Sequence, residues 1–436
     1  VYFYRFESEG TTTRVARTKT APAIDADVPV RYAMCACQDY IGRYWHSWQA
    51  LLEEAPDLDF VMYLGDYIYE SVNDSRFQSS DPSTRAIVLP DGIDTSPAQD
   101  GSRIAAGSLA DYRALYKIYR SDPLLREIHR RYPFVLTWDD HEFADDCWGD
   151  HSTSFAEKDP QTGDFTSEQD TPRRQTASRA FAEYQPADIA RAPGAAFPAD
   201  LTIYRSLRFG KHVEVFMTDQ RMYRDDHVVK EGPLNLETGK VRKNSSLGSR
   251  YFVRKSVFDT LEAEVSPTLL GATQKQWFVD AVKASSATWK VWGNEVQVYQ
   301  MVVNLAELPG VPNAFGYRAY LNCDQWDGYR TERAEVLGAF QSAGVENLLV
   351  CTGDIHSFYA AELHVDFDEP GPKPIGVELV TAGISSASLS KFIDDYVPNG
   401  DAFRPVIDAL VGTANETLLG SNPHLRHADT DAYGYT

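Results

Sequence analysis

The sequence contains few cysteines and no long apolar run. Its 436 residues include five cysteines, at positions 35, 37, 147, 323 and 351, which are too few and too scattered for a disulfide-framed fold or a zinc finger. No apolar run approaches the length of a membrane span, and no signal peptide is recognisable in its first residues. The apolar share of 43% nevertheless supplies a sizeable core.

Basic residues are also scarce. Lys and Arg number 42 against 63 Asp and Glu, which gives a net charge of 42 − 63 = −21. Nucleic acids and anionic membranes are held by positive surfaces, so we expect neither to be a partner held by charge. A phosphate substrate is not excluded, because bound cations can reverse the local field inside a site.

An acid follows a wholly apolar segment near position 60. Phe60–Leu64 predicts a strand buried on both faces, and Gly65 ends it so that Asp66 lies at its carboxyl end. Catalytic groups collect at that end in layered α/β folds. Asp66 could bridge two cations through its two oxygens, with the phenol of Tyr69 turned toward one of them. The alternative is that Asp66 caps a helix or anchors a loop.

The same arrangement recurs twice along the chain. The apolar run at 348–352 ends in Gly353 and is followed by Asp354 and His356. The apolar run at 134–138 is followed by five acids and a histidine within eight positions, namely Asp139, Asp140, His141, Glu142, Asp145 and Asp146. Because that segment directly follows a buried strand, a solvated charged face does not explain it. We predict a functional site there.

The pattern of the other segments predicts an α/β fold with long loops. Residues 30–35, 44–55 and 60–64 predict a strand, a helix and a strand, which makes a βαβ unit with a parallel pair. Residues 71–108, 150–172 and 225–250 are polar and lack periodicity, so we expect loops. Residues 273–276 resemble a capping box at the start of a helix.

The first 22 residues predict a separate small β segment. Residues 2–7 and 11–18 alternate around a Glu-Gly turn, as in a β-hairpin, and a lone hairpin is marginal in water. It therefore either docks on the main domain or ends a sheet domain whose earlier strands lie outside this chain. We expect residues 1–22 to form this segment and residues 23–436 to form the catalytic domain.

Several motifs together carry a family resemblance. They are MCACQ at 34–38, GDYIYE at 65–70, WDDHE at 138–142, DQWDGY at 324–329 and GDIHS at 353–357. With these motifs in this order, the chain resembles the alkaline phosphatase D (PhoD-type) family of metallophosphatases, which is similar to the purple acid phosphatases. The resemblance implies a four-layer αββα sandwich, with the N-terminal hairpin as the remnant of a β-sandwich domain.

The resemblance also implies a ligand set for two metals. Asp66 would bridge the two, Cys37 and Tyr69 would bind Fe3+, and Asp354 and His356 would complete the cluster. Ca2+ would be the second cation. Thiolate and phenolate suit iron and carboxylates suit calcium, which supports part of this assignment independently.

The ligands of the second cation are less well defined. The resemblance implies Asp140 and Asp146, but many family members have Asn-Asn where this chain has Asp145 and Asp146, so the choice between Asp140 and these two acids stays open. Further candidates are the acids of the neighbouring motifs, Asp139, Asp145, Asp324 and Asp327. Asp219 and Arg221 either contact and hold the metal ligands or form an ion pair with each other, and we favour the ion pair.

The implied function is hydrolysis of phosphate esters, diesters or monoesters, by a metal-activated hydroxide at alkaline pH. His141, with Asp140, would act in catalysis by stabilising the phosphoryl oxygens or protonating the leaving group. The alternative for His141 is a structural hydrogen bond. The family is exported, so a secreted or periplasmic location and a Cys147–Cys323 disulfide would follow.

Two other functions remain open at this stage. A phospholipase D-like phosphodiesterase acting on lipid head groups would use the same cluster in a wider groove. A non-catalytic binding protein would hold its metals only for stability. An open coordination position beside the metal ligands would favour an enzyme, whereas full burial of the metal ligands would favour the binding protein.

Overall fold

The fold is taken from a computed structural model of the chain. It describes residues 1–74, 77–79, 84–95, 103–158, 165–192, 194–229, 234–235, 240–241 and 250–436, with the side chains of 153–158, 165–168, 234–235 and 240–241 left aside.

The described residues form ten α-helices and three short 3-10 turns. The helices are α1 (His46–Glu54), α2 (Leu109–Tyr119), α3 (Pro123–Arg131), α4 (Thr171–Tyr184), α5 (Lys255–Glu262), α6 (Ala272–Ala284), α7 (Arg330–Ser342), α8 (Leu389–Tyr396), α9 (Arg404–Leu410) and α10 (Ala414–Ser421), and the turns are Leu305–Glu307, Asn313–Phe315 and Trp326–Gly328. The first half of the chain, up to the end of α4, contributes strands β1 (Tyr2–Tyr4), β2 (Glu7–Ser8), β3 (Thr11–Thr12), β4 (Ala16–Thr18), β5 (Tyr32–Cys35), β6 (Phe60–Leu64), β7 (Ser71–Val72), β8 (Ile93–Asp94), β9 (Ile104–Ala105), β10 (Phe134–Thr137), β11 (His151–Lys158) and β12 (Phe165–Gln169). The remainder contributes β13 (Ala190–Arg191), β14 (Leu201–Thr202), β15 (Arg205–Phe209), β16 (Val213–Met217), β17 (Leu234–Asn235), β18 (Lys240–Val241), β19 (Tyr251–Arg254), β20 (Trp289–Asn294), β21 (Val302–Asn304), β22 (Arg318–Asn322), β23 (Leu348–Thr352), β24 (Phe358–Leu363), β25 (Gly376–Val380) and β26 (Leu425–Asp429).

Two sheets form the centre of the fold. The smaller has the order β10-β6-β5 and is parallel throughout. The larger has the order β15-β16-β20-β23-β25-β24-β26, in which β16, β20, β23 and β25 run parallel and the pairs β15–β16, β25–β24 and β24–β26 are antiparallel. Parallel strands deliver their carboxyl ends to one edge, so both sheets gather loops at a common edge.

The alternation of side chains along the strands shows four layers. On β6, Met62 packs into a core shared with β16, β20 and β23, while Val61 and Tyr63 pack against helices α1 to α4. On β16, Val215 points into the shared core and Phe216 packs with α6 and α7 on the other side. Each sheet therefore has one face on the other sheet and one face under helices, which confirms the αββα sandwich.

Most predicted elements of the central layers are confirmed. Phe60–Leu64 is a strand over those residues, all of them buried, and it pairs in parallel with Tyr32–Cys35 as the βαβ prediction requires. Asp122 caps α3 by accepting hydrogen bonds from the backbone of Leu124 and Leu125.

Three predictions for peripheral segments are wrong. The described part of residues 71–108 contains the short antiparallel strands β7, β8 and β9 rather than loop alone. Residues 150–172 contain an antiparallel hairpin of β11 and β12 rather than a loop. Helix α6 begins at Ala272 without a side-chain cap, because Gly271 occupies the N-cap position and Thr273 already lies in the first turn. Much of the third predicted loop, residues 225–250, lies outside the described residues.

The N-terminal hairpin exists and docks on the main domain. Strands β1 and β4 pair antiparallel, as do β2 and β3. Arg17 donates a hydrogen bond to the carbonyl of Arg131 at 3.1 Å, and Arg14 forms an ion pair with Glu127 at 3.4 Å, which ties the hairpin to α3. The division into residues 1–22 and 23–436 stays a prediction. None of the described helices is both long and apolar enough to cross a membrane.

A small cavity made in the core between the two sheets should measurably lower the free energy of unfolding. Val215 is fully buried there, whereas Val88 is 81% exposed. We expect Val215→Ala to lower the free energy of unfolding by about 2 kcal/mol, because two buried methyl groups are removed and the rigid sheets cannot close the gap. Urea denaturation measures the change. Val88→Ala is the matched control, and equal effects of the two variants would contradict the layer assignment.

Candidate metal centre

The predicted site residues meet where strand ends of the two sheets adjoin. Strands β5, β6, β10 and β23 each end at this edge, and each is followed by a residue with a metal-binding side chain, namely Cys37, Asp66, Asp139 and Asp354. A Cβ on Gly353 would lie 2.6 Å from the Cβ of Ala36, and one on Gly65 would lie 2.4 Å from the Cβ of Asp139. Only glycine permits this approach, so these two positions set the spacing of the site.

An unusual backbone conformation marks the same residues. Residues with side chains rarely adopt positive φ, and such strain clusters at functional sites. Five of the predicted ligands adopt it, namely Cys37 (φ 56°), Asp66 (φ 55°), Asp146 (φ 51°), Asp354 (φ 63°) and His356 (φ 52°). The conformation turns these side chains back toward the strand ends.

The first group of ligand atoms belongs to Cys37, Asp66 and His356, which all lie within 4.8 Å of one another. Tyr69 joins them, since its hydroxyl lies 3.3 Å from Asp66 Oδ2 and 3.2 Å from His356 Nε2. His356 Nδ1 donates to the carbonyl of Ala387 at 2.7 Å, which leaves the Nε2 lone pair facing the group.

Asp140 connects this group to further acids. Asp140 belongs to three groups of residues whose ligand atoms lie within 4.8 Å of one another. Its partners are Asp66 and His141 in the first group, Asp139 and Asp354 in the second, and Asp145 and Asp146 in the third. The structure therefore brings both predicted alternatives for the second cation, Asp140 and the pair at 145 and 146, to one place. The sequence did not decide between them, and this geometry allows all three.

His141 is hydrogen-bonded to a carboxylate that was not among the predicted site residues. Its Nδ1 donates to Glu70 Oε2 at 2.6 Å, while Nε2 lies 3.9 Å from Asp145 Oδ1. Burial alone would lower the pKa of His141, but the carboxylates of Asp140, Glu70 and Asp66 outweigh it and raise that pKa well above its usual range.

Arg221 is the largest departure from the sequence prediction. Its guanidinium is fully buried and binds Asp139 at 2.5 Å, Asp324 at 3.0 Å and Asp354 at 3.3 Å. The predicted ion pair with Asp219 is wrong, because that carboxylate accepts from Trp138 Nε1 at 3.0 Å and from backbone N–H groups. The Arg221 guanidinium thus links acids from three separate segments.

Other supporting residues lie beside the motifs. Glu142 accepts backbone hydrogen bonds from Asp66 at 3.1 Å, Tyr67 at 2.6 Å and Asp139 at 2.8 Å, and so fixes two strand ends at once. Arg250 pairs with Asp146 at 2.7 Å. Glu142 and Glu70 both stand inside quoted motifs, whereas nothing in the sequence marked Arg250.

The environment of the acids fits a bound cation. Burial raises the pKa of Asp66 and of Asp354 well above the usual range, and it raises the pKa of Asp139 to about 6. Burial, followed by the charge of Asp66, also raises the pKa values of Cys37 and Tyr69. Asp66 Oδ1 is buried without a hydrogen-bond partner. Thiol, phenol, imidazole and unsatisfied carboxylate oxygens together form a donor set that metal ions bind.

Two further predictions from the sequence are wrong. Asp327 is buried away from the cluster, where it pairs with Arg333 at 2.8 Å and accepts from the backbone of Met301 at 2.8 Å. Cys147 and Cys323 are free thiols in different core clusters, so they form no disulfide. Asp324 belongs to the site, but its partners are Arg221, Arg224 and His227.

A cavity of about 50 Å³ opens beside the ligands, several times the roughly 10–15 Å³ that one water needs. Its described lining consists of Asp66, Phe77, Asp140, His141, Asp145, Asp146, Tyr251, Asn322, Asp324, Asp354, Ile355, His356, Leu389 and Phe392. A reachable position beside the ligands favours catalysis over a purely structural cluster.

Comparison with known proteins gives a consistent picture. The family model for PhoD-like phosphatases matches residues 32–436. Alkaline phosphatase D of Bacillus subtilis (strain 168) is 30% identical over all 436 residues of this chain, which span 61% of that protein's length. A solved structure of PhoD superposes with a TM-score of 0.69 at 26% identity, covering all of this chain and 68% of that one. A purple acid phosphatase from yellow lupin seeds superposes over 87% of this chain with a TM-score of 0.42 at 10% identity, too distant for an inference about ligands.

The Arg221 network predicts a large effect of a single substitution. Arg221→Met leaves the buried charges of Asp139 and Asp324 without their shared partner, so we expect the free energy of unfolding to fall by about 3–5 kcal/mol. Urea denaturation in the presence of a chelator measures it, and adding Asp139→Asn should restore part of the loss. Arg426→Met, which breaks an exposed pair with Glu362, should have no measurable effect. An Arg221→Met protein as stable as the parent would contradict the network.

Proposed function

The chain belongs to the PhoD-like phosphatase family, and from that premise we propose that it hydrolyses phosphate esters, with metal cofactors held at the sheet edge. The observation that supports this most is the cavity lined by Asp66, Asp140, His141, Asp354 and His356. It combines candidate metal ligands with a histidine and leaves room beside them. The relative's name favours activity at alkaline pH, and the family resemblance favours a location outside the cytoplasm.

We assign the ligands as the motifs imply. One ion would be held by Cys37, Tyr69, Asp66 and His356, whose ligand atoms lie together, with Asp354 as the further ligand that the motifs imply. The second would be held by Asp66, Asp140 and Asp146, with Asp145 within reach. Bound there, the two ions supply Lewis acidity toward water and the phosphoryl oxygens. The soft donors Cys37 and Tyr69 suit Fe3+, and the carboxylates of the second group suit Ca2+.

His141 serves as the proton donor and phosphoryl contact of the site. Glu70 fixes its Nδ1–H, so Nε2 is the atom available in the cavity. A ring so placed can donate Nε2–H to a phosphoryl oxygen or to the departing alcohol oxygen. Asp140 donates no proton here. It accepts from the backbone N–H groups of His141 at 2.8 Å and Asp146 at 2.6 Å and so positions the segment.

The preferred substrates are diesters, cleaved at least as readily as monoesters. Arg and Lys are the usual clamps for the dianionic phosphate of a monoester. The described residues that line the cavity include neither, whereas six of them are Asp. A phospholipase D-like activity on lipid head groups is the second candidate, favoured by the apolar residues of the same lining.

Hydrolysis and its dependence on metals can be tested together. We expect bis-p-nitrophenyl phosphate to be cleaved with a kcat/KM at least equal to that for p-nitrophenyl phosphate. A chelator should remove activity and lower the melting temperature, because the buried acids of the cluster lose their counter-charge. Metal analysis before and after chelation identifies the ions. Activity confined to monoesters, or full activity after complete metal removal, would contradict the proposal.

The iron assignment predicts a coloured protein. Charge transfer from deprotonated Cys37 and Tyr69 to Fe3+ should give a visible absorption band. Tyr69→Phe should shift or bleach that band with little loss of stability, because it removes one hydroxyl, and Cys37→Ser should lose iron and most activity. Visible spectra and metal content measure both.

The control for this experiment is a neighbouring tyrosine. Tyr67 is equally buried, but its hydroxyl bonds His129 at 2.8 Å rather than the site. Tyr67→Phe should leave the band unchanged. A colourless, iron-free protein with full activity would overturn the iron assignment.

A further inference from the structure

The cavity has two chemically different walls. One is formed by the acids and histidines described above. The other contains Ile355, Leu389 and three aromatic residues, Phe77, Tyr251 and Phe392, and we call these three the aromatic wall. The three belong to different parts of the fold, the turn after β7, strand β19 and helix α8, so their meeting at this cavity is not a local consequence of sequence.

The aromatic wall is continuous with the catalytic side. The rings of Phe77 and Phe392 are nearly parallel, with centroids 6.0 Å apart, and Tyr251 lies 5.5 Å from Phe392. At the other end, Phe77 packs edge-on against His141 at 4.7 Å. A molecule whose phosphorus lies near His141 therefore has ring surface next to it on the adjoining wall.

The described lining offers no basic clamp for a doubly charged ligand. Six Asp residues face the cavity, and its described lining contains no Lys or Arg. A phosphodiester carries one negative charge where a monoester carries two at alkaline pH, so the diester depends less on the Arg or Lys clamp that this lining lacks. Its second organic group also needs a surface, and the aromatic wall makes up most of the apolar part of the described lining, with Ile355 and Leu389.

We propose that the aromatic wall of Phe77, Tyr251 and Phe392 binds the retained organic group of a monoanionic phosphodiester and makes the site selective for planar, aromatic groups. This inference rests on the proposed function, since it concerns the substrate class of the same site. Aromatic rings prefer offset stacking and edge-to-face contacts with one another, and a flat aromatic group gains more from such a wall than a methyl group does.

Two esters with the same leaving group and charge test the proposal. Phenyl p-nitrophenyl phosphate and methyl p-nitrophenyl phosphate differ only in the retained group. In both, an oxygen from water bonds to phosphorus, the bond from phosphorus to the p-nitrophenyl oxygen breaks, and p-nitrophenolate leaves with that electron pair. At alkaline pH both protons of the water pass to solvent, which leaves the dianion of the retained monoester. We expect kcat/KM to be about 5- to 10-fold higher for the phenyl ester after correction for their uncatalysed rates.

Variants of the aromatic wall should remove this preference. Phe392→Leu keeps apolar bulk but loses the ring, so the ratio of the two kcat/KM values should fall toward one. Phe403→Leu is the matched control, because Phe403 packs on Phe252 and Phe315 and does not line the cavity. Tyr251→Leu, on a strand rather than a helix, tests the same wall if Phe392→Leu does not fold.

The possible outcomes distinguish the proposed phosphate-ester hydrolysis from the proposed role of the aromatic wall. Failure to cleave either ester would overturn the proposed function. Cleavage of both esters at equal corrected rates, or a preference that survives Phe392→Leu and Tyr251→Leu, would leave the proposed function standing and overturn the aromatic wall. A preference that falls equally in Phe403→Leu would also overturn it, because the effect would then not be specific to the lining.

Discussion

Negative charge confined at one sheet edge is the constraint on which the rest of the site depends. Seven carboxylates from four segments are gathered here: Asp66, Asp140, Asp145, Asp146, Asp324 and Asp354 line the cavity, and Asp139 lies beside Asp140 and Asp354. Burial raises the pKa of Asp66, Asp139 and Asp354. At Asp140 and Asp324 burial is outweighed by neighbouring positive charge, chiefly that of Arg221, which lowers the pKa of both. Arg221 offsets part of this charge by binding three of them directly. Bound cations would offset the remaining negative charge. An arrangement of acids that is unfavourable without metal is therefore suited to a metal cluster.

The four-layer fold makes this concentration possible. Two sheets packed face to face bring the carboxyl ends of β5, β6, β10 and β23 to a common edge, and Gly65 and Gly353 let the strand ends approach. The left-handed backbone at the residues that follow turns their side chains inward. Helices on both outer faces keep these strands buried, so the ligands rest on rigid elements. The chemistry is thus positioned by the core, and the loops supply the surface that meets the substrate.

Sequence patterns predicted the scaffold better than the supporting contacts. Phe60–Leu64 was predictable because a short, wholly apolar run before Gly has few other structures available. The acids after the strands were predictable as a group because parallel strands end at one edge. Arg221 was not, because its partners come from β10, β22 and β23 and only tertiary packing brings them together. Asp327 was predicted near the site from its neighbour Asp324, but a 3-10 turn at Trp326–Gly328 points it to Arg333 instead.

The most direct test of the account is a crystal structure of the metal-loaded protein with anomalous scattering measured at the iron edge. The account predicts an iron peak within bonding distance of Cys37 Sγ, the Tyr69 hydroxyl oxygen and Asp66, with a second cation beside Asp66 and Asp140. His356 Nε2 should face the cluster, as its Nδ1 hydrogen bond to Ala387 requires. An iron-loaded protein whose peak lies elsewhere, with Cys37 and Tyr69 still bonded only to protein atoms, would contradict it.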